Sequence, residues 1–94
     1  MEYLKVSWQH QFDDEPVALY SEINACRLEN RKIELYPDGS FGLANTSFHF
    51  GGTVLCDTVM PMMEDICDDT QLVPEFISRE EFELLWNHYY NYLS

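Results

Sequence analysis

Apolar and polar side chains alternate along the first half of the chain. In "YLKVSWQHQF" the apolar residues Leu4, Val6 and Trp8 are separated by polar ones. This period of two is expected for a β-strand that packs on one face. Four later segments have a similar pattern or a composition typical of strands, and we predict them as strands: "VALYSEI", "RKIELY", "FGLANTSFHF" and the short "TVLC".

Turn residues separate these segments. The run "DDEP" ends the first strand, because Asp favours turns and Pro16 cannot donate a sheet hydrogen bond. The run "PDGS" places Asp38 and Gly39 at the centre of a predicted hairpin. The glycines at 51 and 52 are predicted to bend the chain before "TVLC", and "NACRLEN" is expected to form a turn or short irregular link.

The C-terminal part has a helical period instead. In "SREEFELLWNHYYNYL", Ser78 and Glu81 form a capping-box pair. The acidic first turn also suits the positive end of the helix dipole. The predicted apolar face consists of Phe82, Leu85, Trp86, Tyr89, Tyr92 and Leu93, and Tyr90 is expected at its margin. Pro61 is predicted to open a second, short helix across "MMEDICDD".

Strands followed by helices, with no βαβ alternation, predict an α+β fold. We expect an antiparallel meander sheet of four to five strands, packed on one face by a C-terminal helix, with a short extra helix near 61–69. The 94 residues suffice for one modest core, so residues 1–94 are predicted to form a single domain.

The charge of the chain is strongly negative and unevenly distributed. Seventeen acidic and 5 basic residues give a net charge of −12. Residues 33–94 contain 11 of the acids and only Arg79 as a base, a net charge of −10. Such a surface repels nucleic acid and anionic lipid and attracts a basic protein. We therefore expect binding to neither nucleic acid nor a membrane.

The chain has the features of a cytoplasmic protein. No apolar run approaches the roughly 20 residues that span a bilayer, and "MEYLKVSW" lacks the pattern of a secretory signal. The three cysteines, Cys26, Cys56 and Cys67, are odd in number and are expected to be reduced. Cys56 and Cys67 are expected to be small buried thiols.

The densest group of carboxylates lies in "MMEDICDD". On a helix, Glu64 and Asp68 would form one pair of like charges and Asp65 and Asp69 another. No nearby lysine or arginine relieves this repulsion. Three explanations stay open from the residues alone: a solvated face, a docking surface for a cationic partner, or a metal site.

No group of residues has the spacing of an active site. The acidic stretch lacks the alternate oxygen ligands and the glycine of a calcium loop. The cysteines and histidines are too far apart in sequence for a zinc site. No serine lies in a G-x-S-x-G turn, and "FGGT" has no lysine to bind phosphate. We therefore predict no enzyme activity, catalytic residue, cofactor or metal.

Five segments, taken in order, resemble a family of short bacterial proteins of unassigned function: "YLKVSWQH", "DEPVALYSEI", "RKIELYPDG", "GGTVL" and "EFISREEFELLW". The resemblance extends over roughly residues 2–86. Members of that family are often encoded beside polymorphic or contact-dependent toxins, which implies immunity proteins. "ACRLEN" and the extension "NHYYNYLS" depart from the family's pattern, and "EDICDD" is variable. Immunity proteins diverge where they meet their own toxin, so the acidic and aromatic stretches are the implied contact regions.

The resulting hypothesis is an immunity protein that neutralises a cognate basic toxin, a nuclease, by electrostatic and steric occlusion. We expect a monomer in a 1:1 complex. The predicted partner-binding residues are Asp57, Glu64, Asp65, Asp68, Asp69 and Tyr90. Two alternatives stay open: a ligand-binding or enzymatic α+β domain with Trp8 and Trp86 lining a cavity, and an acidic mimic of nucleic acid.

Overall fold

A computed structural model describes residues 1–9, 15–55 and 72–93. These ranges contain six strands, one α-helix and a short 3-10 helix. The strands are β1 (Glu2–Trp8), β2 (Ala18–Ile23), β3 (Glu29–Leu35), β4 (Phe41–Asn45), β5 (His49–Phe50) and β6 (Leu72–Phe76). The helices are α1 (Arg79–Tyr90) and the 3-10 helix (Asn91–Leu93).

The strands form one antiparallel sheet in the order β5-β4-β3-β2-β1-β6. β1 to β5 follow one another as a meander, and β6 then pairs with the other side of β1. The predicted α+β meander with a helix packed on it is confirmed. The predicted number of four to five strands is too low. The sheet is not closed into a barrel, since β5 and β6 lie at its two edges.

β6 is the strand that the sequence pattern did not predict. Its centre is Pro74, which pairs with Val6 in the sheet register. Proline argues against a strand because it has no N–H to donate. At the edge of a sheet the missing donor can face away from the neighbouring strand, so no sheet hydrogen bond is lost. The short helix predicted near 61–69 lies outside the described residues.

The predicted turn between β3 and β4 is confirmed. The Gly39 N–H donates to the Tyr36 carbonyl at 3.1 Å, and the Tyr36 N–H donates to the Ser40 carbonyl at 3.0 Å. Gly39 has a φ of +90°, which residues with a Cβ rarely adopt. The Asp38 carboxylate accepts from the Ser40 N–H at 2.9 Å. These local bonds hold β3 and β4 in register.

The segment "FGLANTSFHF", predicted as one strand, forms β4 and β5. Asn45 ends β4, because its side-chain oxygen accepts from the N–H groups of Ser47 and Phe48 at 2.7 and 2.9 Å. Such a bond replaces the next sheet hydrogen bonds and turns the chain back. The turn brings Phe48 and Phe50 to the same edge of the sheet.

The prediction of a strand at "TVLC" is wrong for residues 53–55, which lie in no strand, and Cys56 lies outside the described residues. Thr53 instead packs against the sheet with 1% of its surface exposed. Its hydroxyl donates to Glu34 at 2.5 Å. Gly42 makes this possible, because a Cβ at that position would overlap the Thr53 side chain.

The sheet is buried on both faces at its centre. The core beneath α1 consists of Tyr3, Tyr20, Ile33, Leu43, Phe82 and Trp86. A smaller cluster contains Leu4 and Ile23, with Val6 and Leu72 against it. Since neighbouring residues of a strand point to opposite faces, β1 contributes Tyr3 to one cluster and Leu4 to the other. The expectation that this strand packs on one face is therefore wrong.

The helix α1 begins at the predicted cap. The Ser78 Oγ accepts from the Glu81 N–H at 3.1 Å, which satisfies one of the unpaired donors of the first turn. Three residues after Glu81, Leu84 is 73% exposed and faces away from the sheet. Within the described ranges, no helix is long and apolar enough to cross a membrane.

The predicted apolar face of α1 is confirmed at its centre. Phe82 and Trp86 are buried, and Leu85 and Tyr89 pack beside them. Tyr92 lies in the 3-10 helix and is 69% exposed. The end of the predicted face therefore extends beyond the core and reaches the surface.

The link between β2 and β3 is a turn organised by Asn24. Its side-chain oxygen accepts from the N–H groups of Cys26 and Leu28 at 2.8 and 3.2 Å. The turn leaves the Cys26 thiol exposed. Cys56 and Cys67, the two cysteines expected to be buried, lie outside the described residues.

Candidate partner-binding surface

The structure describes one of the six predicted partner-binding residues, Tyr90. The other five lie in the range 56–71, outside the described residues: Asp57, Glu64, Asp65, Asp68 and Asp69. Their role stays a prediction. The described residues show how the remaining charge is distributed and which apolar side chains reach the surface.

Four of the five basic side chains are held in ion pairs with glutamates of the described residues. The pairs are Lys5–Glu75, Arg27–Glu2, Arg31–Glu22, Arg31–Glu83 and Lys32–Glu29. The fifth base, Arg79, forms no ion pair within the described part of the chain, but its charge acts on Glu22 and Tyr3. Little positive charge is therefore left to balance the other carboxylates.

Arg31 is the centre of the largest of these networks. Its register partner on β2 is Glu22, and its guanidinium donates to both oxygens of that carboxylate, at 2.9 and 2.6 Å. This two-bond geometry is characteristic of strong arginine pairs. The guanidinium also donates to Glu83 of α1 and lies over the rings of Phe82 and Trp86, at 5.0 and 5.3 Å. Arg31 therefore joins the sheet to the helix.

This pairing shifts the pKa values of Glu22 and Arg31. The hydrogen bonds from Arg31 hold the pKa of Glu22 below its ordinary value, although burial acts in the opposite direction. The same bonds raise the pKa of Arg31. Burial raises the pKa of Tyr3, whose hydroxyl donates to Glu22 at 2.9 Å. Glu22 is thus ionised at neutral pH, and its carboxylate already accepts hydrogen bonds from Arg31 and Tyr3 of the same chain.

A second buried pair lies on the opposite face of the sheet. Glu29 is 5% exposed. It accepts from the Ser21 hydroxyl at 2.7 Å and lies 3.5 Å from the Lys32 ammonium. The register between β2 and β3 shifts beside these residues. The shift has the effect of a β-bulge, because it places Glu29 and Arg31 on opposite faces although they are two positions apart.

The remaining carboxylates in the described part of the chain have no lysine or arginine partner there. These five are Glu15, Glu34, Asp38, Glu80 and Glu81. The ranges 10–14 and 56–71 contain seven more acidic residues and no lysine or arginine. Four of the five bases are already paired with other glutamates. The twelve acidic residues in these two groups therefore give the protein its anionic character.

Aromatic rings reach the surface where α1 ends beside the β4–β5 hairpin. We call Phe48, Phe50, Tyr90 and Tyr92 the aromatic patch. Three of them, Phe50, Tyr90 and Tyr92, are 42%, 44% and 69% exposed. Phe48 meets Tyr90 edge-on with 5.7 Å between ring centroids. Phe41 supports Phe50 and Tyr92 from β4, at 5.5 and 6.1 Å.

The helical period explains how α1 supplies its side of the patch. Tyr90 follows Trp86 by four residues, about one turn, and the two rings stack at 6.2 Å. Tyr89 points instead to Phe41, at 4.7 Å. The buried part of the helix thus fixes the position of the exposed tyrosine.

A depression of about 310 Å³ adjoins the patch. It is lined by Phe48 and His49 of the hairpin, by the following residues Val54 and Leu55, and by the turn after β4. Its volume is at the lower end of the range for small-molecule sites. Neither tryptophan lines it, so this depression is not the cavity expected between Trp8 and Trp86.

Residues 2–91 match the family described as Domain of unknown function (DUF6881). The chain belongs to the DUF6881 family. No curated protein and no solved structure matches it. The family description names no activity and no partner, so the function of this DUF6881 member has to be inferred from its own surface.

Sequence reasoning found one of the four residues of the aromatic patch, whereas Tyr92 was expected on the buried face of the helix. Tyr90 was expected at the margin of the helical face, and this DUF6881 member places it there. Phe48 and Phe50 were missed, because they were assigned to one long strand. The turn residues in "ANTS" are the signal that could have divided this strand.

Proposed function

We propose that this DUF6881 member is an immunity protein that binds a basic toxin domain and keeps it inactive. The observation that carries the proposal is the unbalanced charge: four of the five bases are paired with described glutamates, five other described carboxylates have no lysine or arginine partner, and the ranges 10–14 and 56–71 add seven acidic residues and no base. Unscreened charge of one sign attracts a partner of the opposite sign and raises the association rate.

The proposed mechanism is occlusion of a nuclease toxin. An enzyme that acts on nucleic acid holds phosphate groups with lysine and arginine. Carboxylates can pair with the same side chains and thereby exclude the substrate. The proposed contact residues are Asp57, Glu64, Asp65, Asp68, Asp69 and Tyr90, acting in the cytoplasm as a 1:1 complex.

An apolar anchor complements the charge in this proposal. Charge pairs at an interface raise the association rate, whereas most of the binding energy comes from a few well-packed aromatic or arginine side chains. The aromatic patch supplies exposed tyrosine and phenylalanine rings that neighbouring side chains already hold in place. Its contact with the toxin would slow dissociation.

Co-expression with the product of the neighbouring gene tests the proposal. We expect the two proteins to purify together and the toxin to be inactive in the complex. A double substitution, Asp65→Asn with Asp69→Asn, is expected to weaken the complex by about tenfold, since close charge pairs across such interfaces couple strongly.

The matched control is Glu2→Gln with Glu75→Gln, which changes the net charge by the same amount. Both glutamates already have a base of the same chain beside them, so we expect less than about a threefold change. A neighbouring toxin that neither binds nor is inhibited would contradict the proposed function. Equal losses from the two double variants would contradict the proposed contact residues.

A further inference from the structure

The chain already contains one site where aromatic rings of α1 hold a guanidinium. Arg31 lies over Phe82 and Trp86 at 5.0 and 5.3 Å from the ring centroids. The negative face of an aromatic ring attracts a cation, and arginine is the commonest partner. This contact is made in the middle of the helix, on its buried side.

The aromatic patch has similar rings at the C-terminal end of α1 but no lysine or arginine of its own. Neither the hairpin, residues 41–55, nor the helix end, residues 84–93, contains a lysine or arginine. The rings of Phe50, Tyr90 and Tyr92 are instead partly open to solvent. A cation on these rings would therefore have to come from another molecule.

We propose that the aromatic patch and the adjoining depression bind an arginine side chain of a basic protein segment. The inference rests on the proposed function, because it assigns the arginine to the toxin partner. The guanidinium lies against the patch rings, and the apolar stem of the side chain lies along Val54. The hydroxyl groups of Thr46 and Ser47, in the lining of the depression, can accept its N–H bonds.

Charge complementarity selects this occupant over a second copy of the chain. A dimer built on the patch would bring together two chains that each carry a net charge of −12, and their repulsion opposes association. An arginine-bearing segment gains from the same charge, because the field of the protein attracts it towards the rings. Arginine also stacks on aromatic faces better than lysine does.

The test is a titration of the isotopically labelled protein with a short peptide of alternating glycine and arginine, followed by NMR. We expect the largest shifts at the amides of residues 46–50 and 89–92. The same peptide with lysine in place of arginine is expected to bind more weakly, because ammonium groups stack less well on rings.

The informative variant is Tyr90→Leu with Tyr92→Leu. Leucine keeps the apolar bulk and the net charge but removes the two ring faces. We expect the affinity for the arginine peptide to fall by about tenfold, a typical size for two exposed cation–ring contacts. The matched control is Phe76→Leu with Leu84→Ala, which alters two apolar residues that are 57% and 73% exposed elsewhere. The control is expected to bind like the parent protein.

Three results would overturn the inference. The first is equal affinity of the tyrosine variant and the control. The second is a set of shifts confined to residues outside the hairpin and the helix end. The third is a dimer, measured by sedimentation, that the tyrosine variant abolishes, because the occupant would then be a second copy of the chain.

The inference and the proposed function fail in different ways. If the neighbouring toxin is inhibited but the peptide does not shift the patch, the proposed function stands and the arginine site is wrong. If the peptide binds at the patch but the neighbouring gene product is neither bound nor inhibited, the arginine site stands and the toxin assignment is wrong.

Discussion

Replacing Phe82 by alanine is expected to lower the free energy of unfolding by about 4 kcal/mol, the usual cost of removing a buried phenylalanine. Phe82 is fully buried. Its ring lies 5.3 Å from that of Tyr3 on β1 and 6.5 Å from that of Trp86 on the next helical turn. The substitution would leave a cavity between the helix and the sheet and remove one ring beneath the Arg31 guanidinium.

Urea unfolding, followed by the fluorescence of the tryptophans, measures this loss. The control is Leu84→Ala, two positions along the same helix, where the side chain is 73% exposed. We expect the control to change stability by less than about 0.5 kcal/mol. Similar losses for the two variants would mean that α1 does not pack on the sheet through Phe82.

Replacing Arg31 by methionine is expected to cost about 3 kcal/mol, since it removes one partner of a largely buried ion pair. Methionine preserves much of the apolar stem. The Glu22 carboxylate, 7% exposed, would lose both of its arginine bonds and keep the hydrogen bond from Tyr3. The control is Lys5→Met, which removes an ion pair whose Glu75 side chain is 58% exposed. We expect this control to lower the free energy of unfolding by less than about 1 kcal/mol.

The pH dependence of the Arg31 effect follows from Glu22. Its pKa in the folded protein is below the ordinary value of 4.5, because the Arg31 bonds favour the ionised form. The pair therefore stabilises the fold above that pH and loses its effect as the pH falls through the depressed pKa. We expect the stability difference between the parent protein and Arg31→Met to narrow in acid. A difference that stays constant from neutral pH to about pH 3 would contradict the role of Glu22.

The local elements of the fold were predictable from the sequence. The Asp38–Gly39 hairpin and the Ser78 cap are determined by residues within a few positions, so single short segments contain the necessary signal. β6 is different. Its strand character depends on pairing with β1, nearly seventy residues earlier, and Pro74 is tolerated only because that strand is at the edge.

The charge network was not predictable for a similar reason. The pairing of Glu22 with Arg31 depends on the exact register of β2 and β3, including the shift beside Ile23. A different register would direct these side chains to other faces. The net negative charge could be counted from composition. The ion pairs that occupy the bases depend on the three-dimensional arrangement, so they could not be predicted from composition.

The aromatic patch depends both on the helical period of α1 and on the turn that follows β4. The helical period marked Tyr90 as marginal to the buried face, which agrees with its 44% exposure. The hairpin rings join it only because Asn45 ends β4 and folds the chain back. A patch assembled from a helix end and a turn has no continuous sequence signature.

The dependence of toxin association on salt tests the central claim, that the excess negative charge of this chain, −12 in total, recruits a basic partner. Raising the ionic strength from about 0.01 M to about 1 M shortens the screening length from about 30 Å to about 3 Å. We predict that the association rate with the neighbouring toxin, measured by stopped flow, falls at least about tenfold over this range. A rate that does not change with salt would contradict the account.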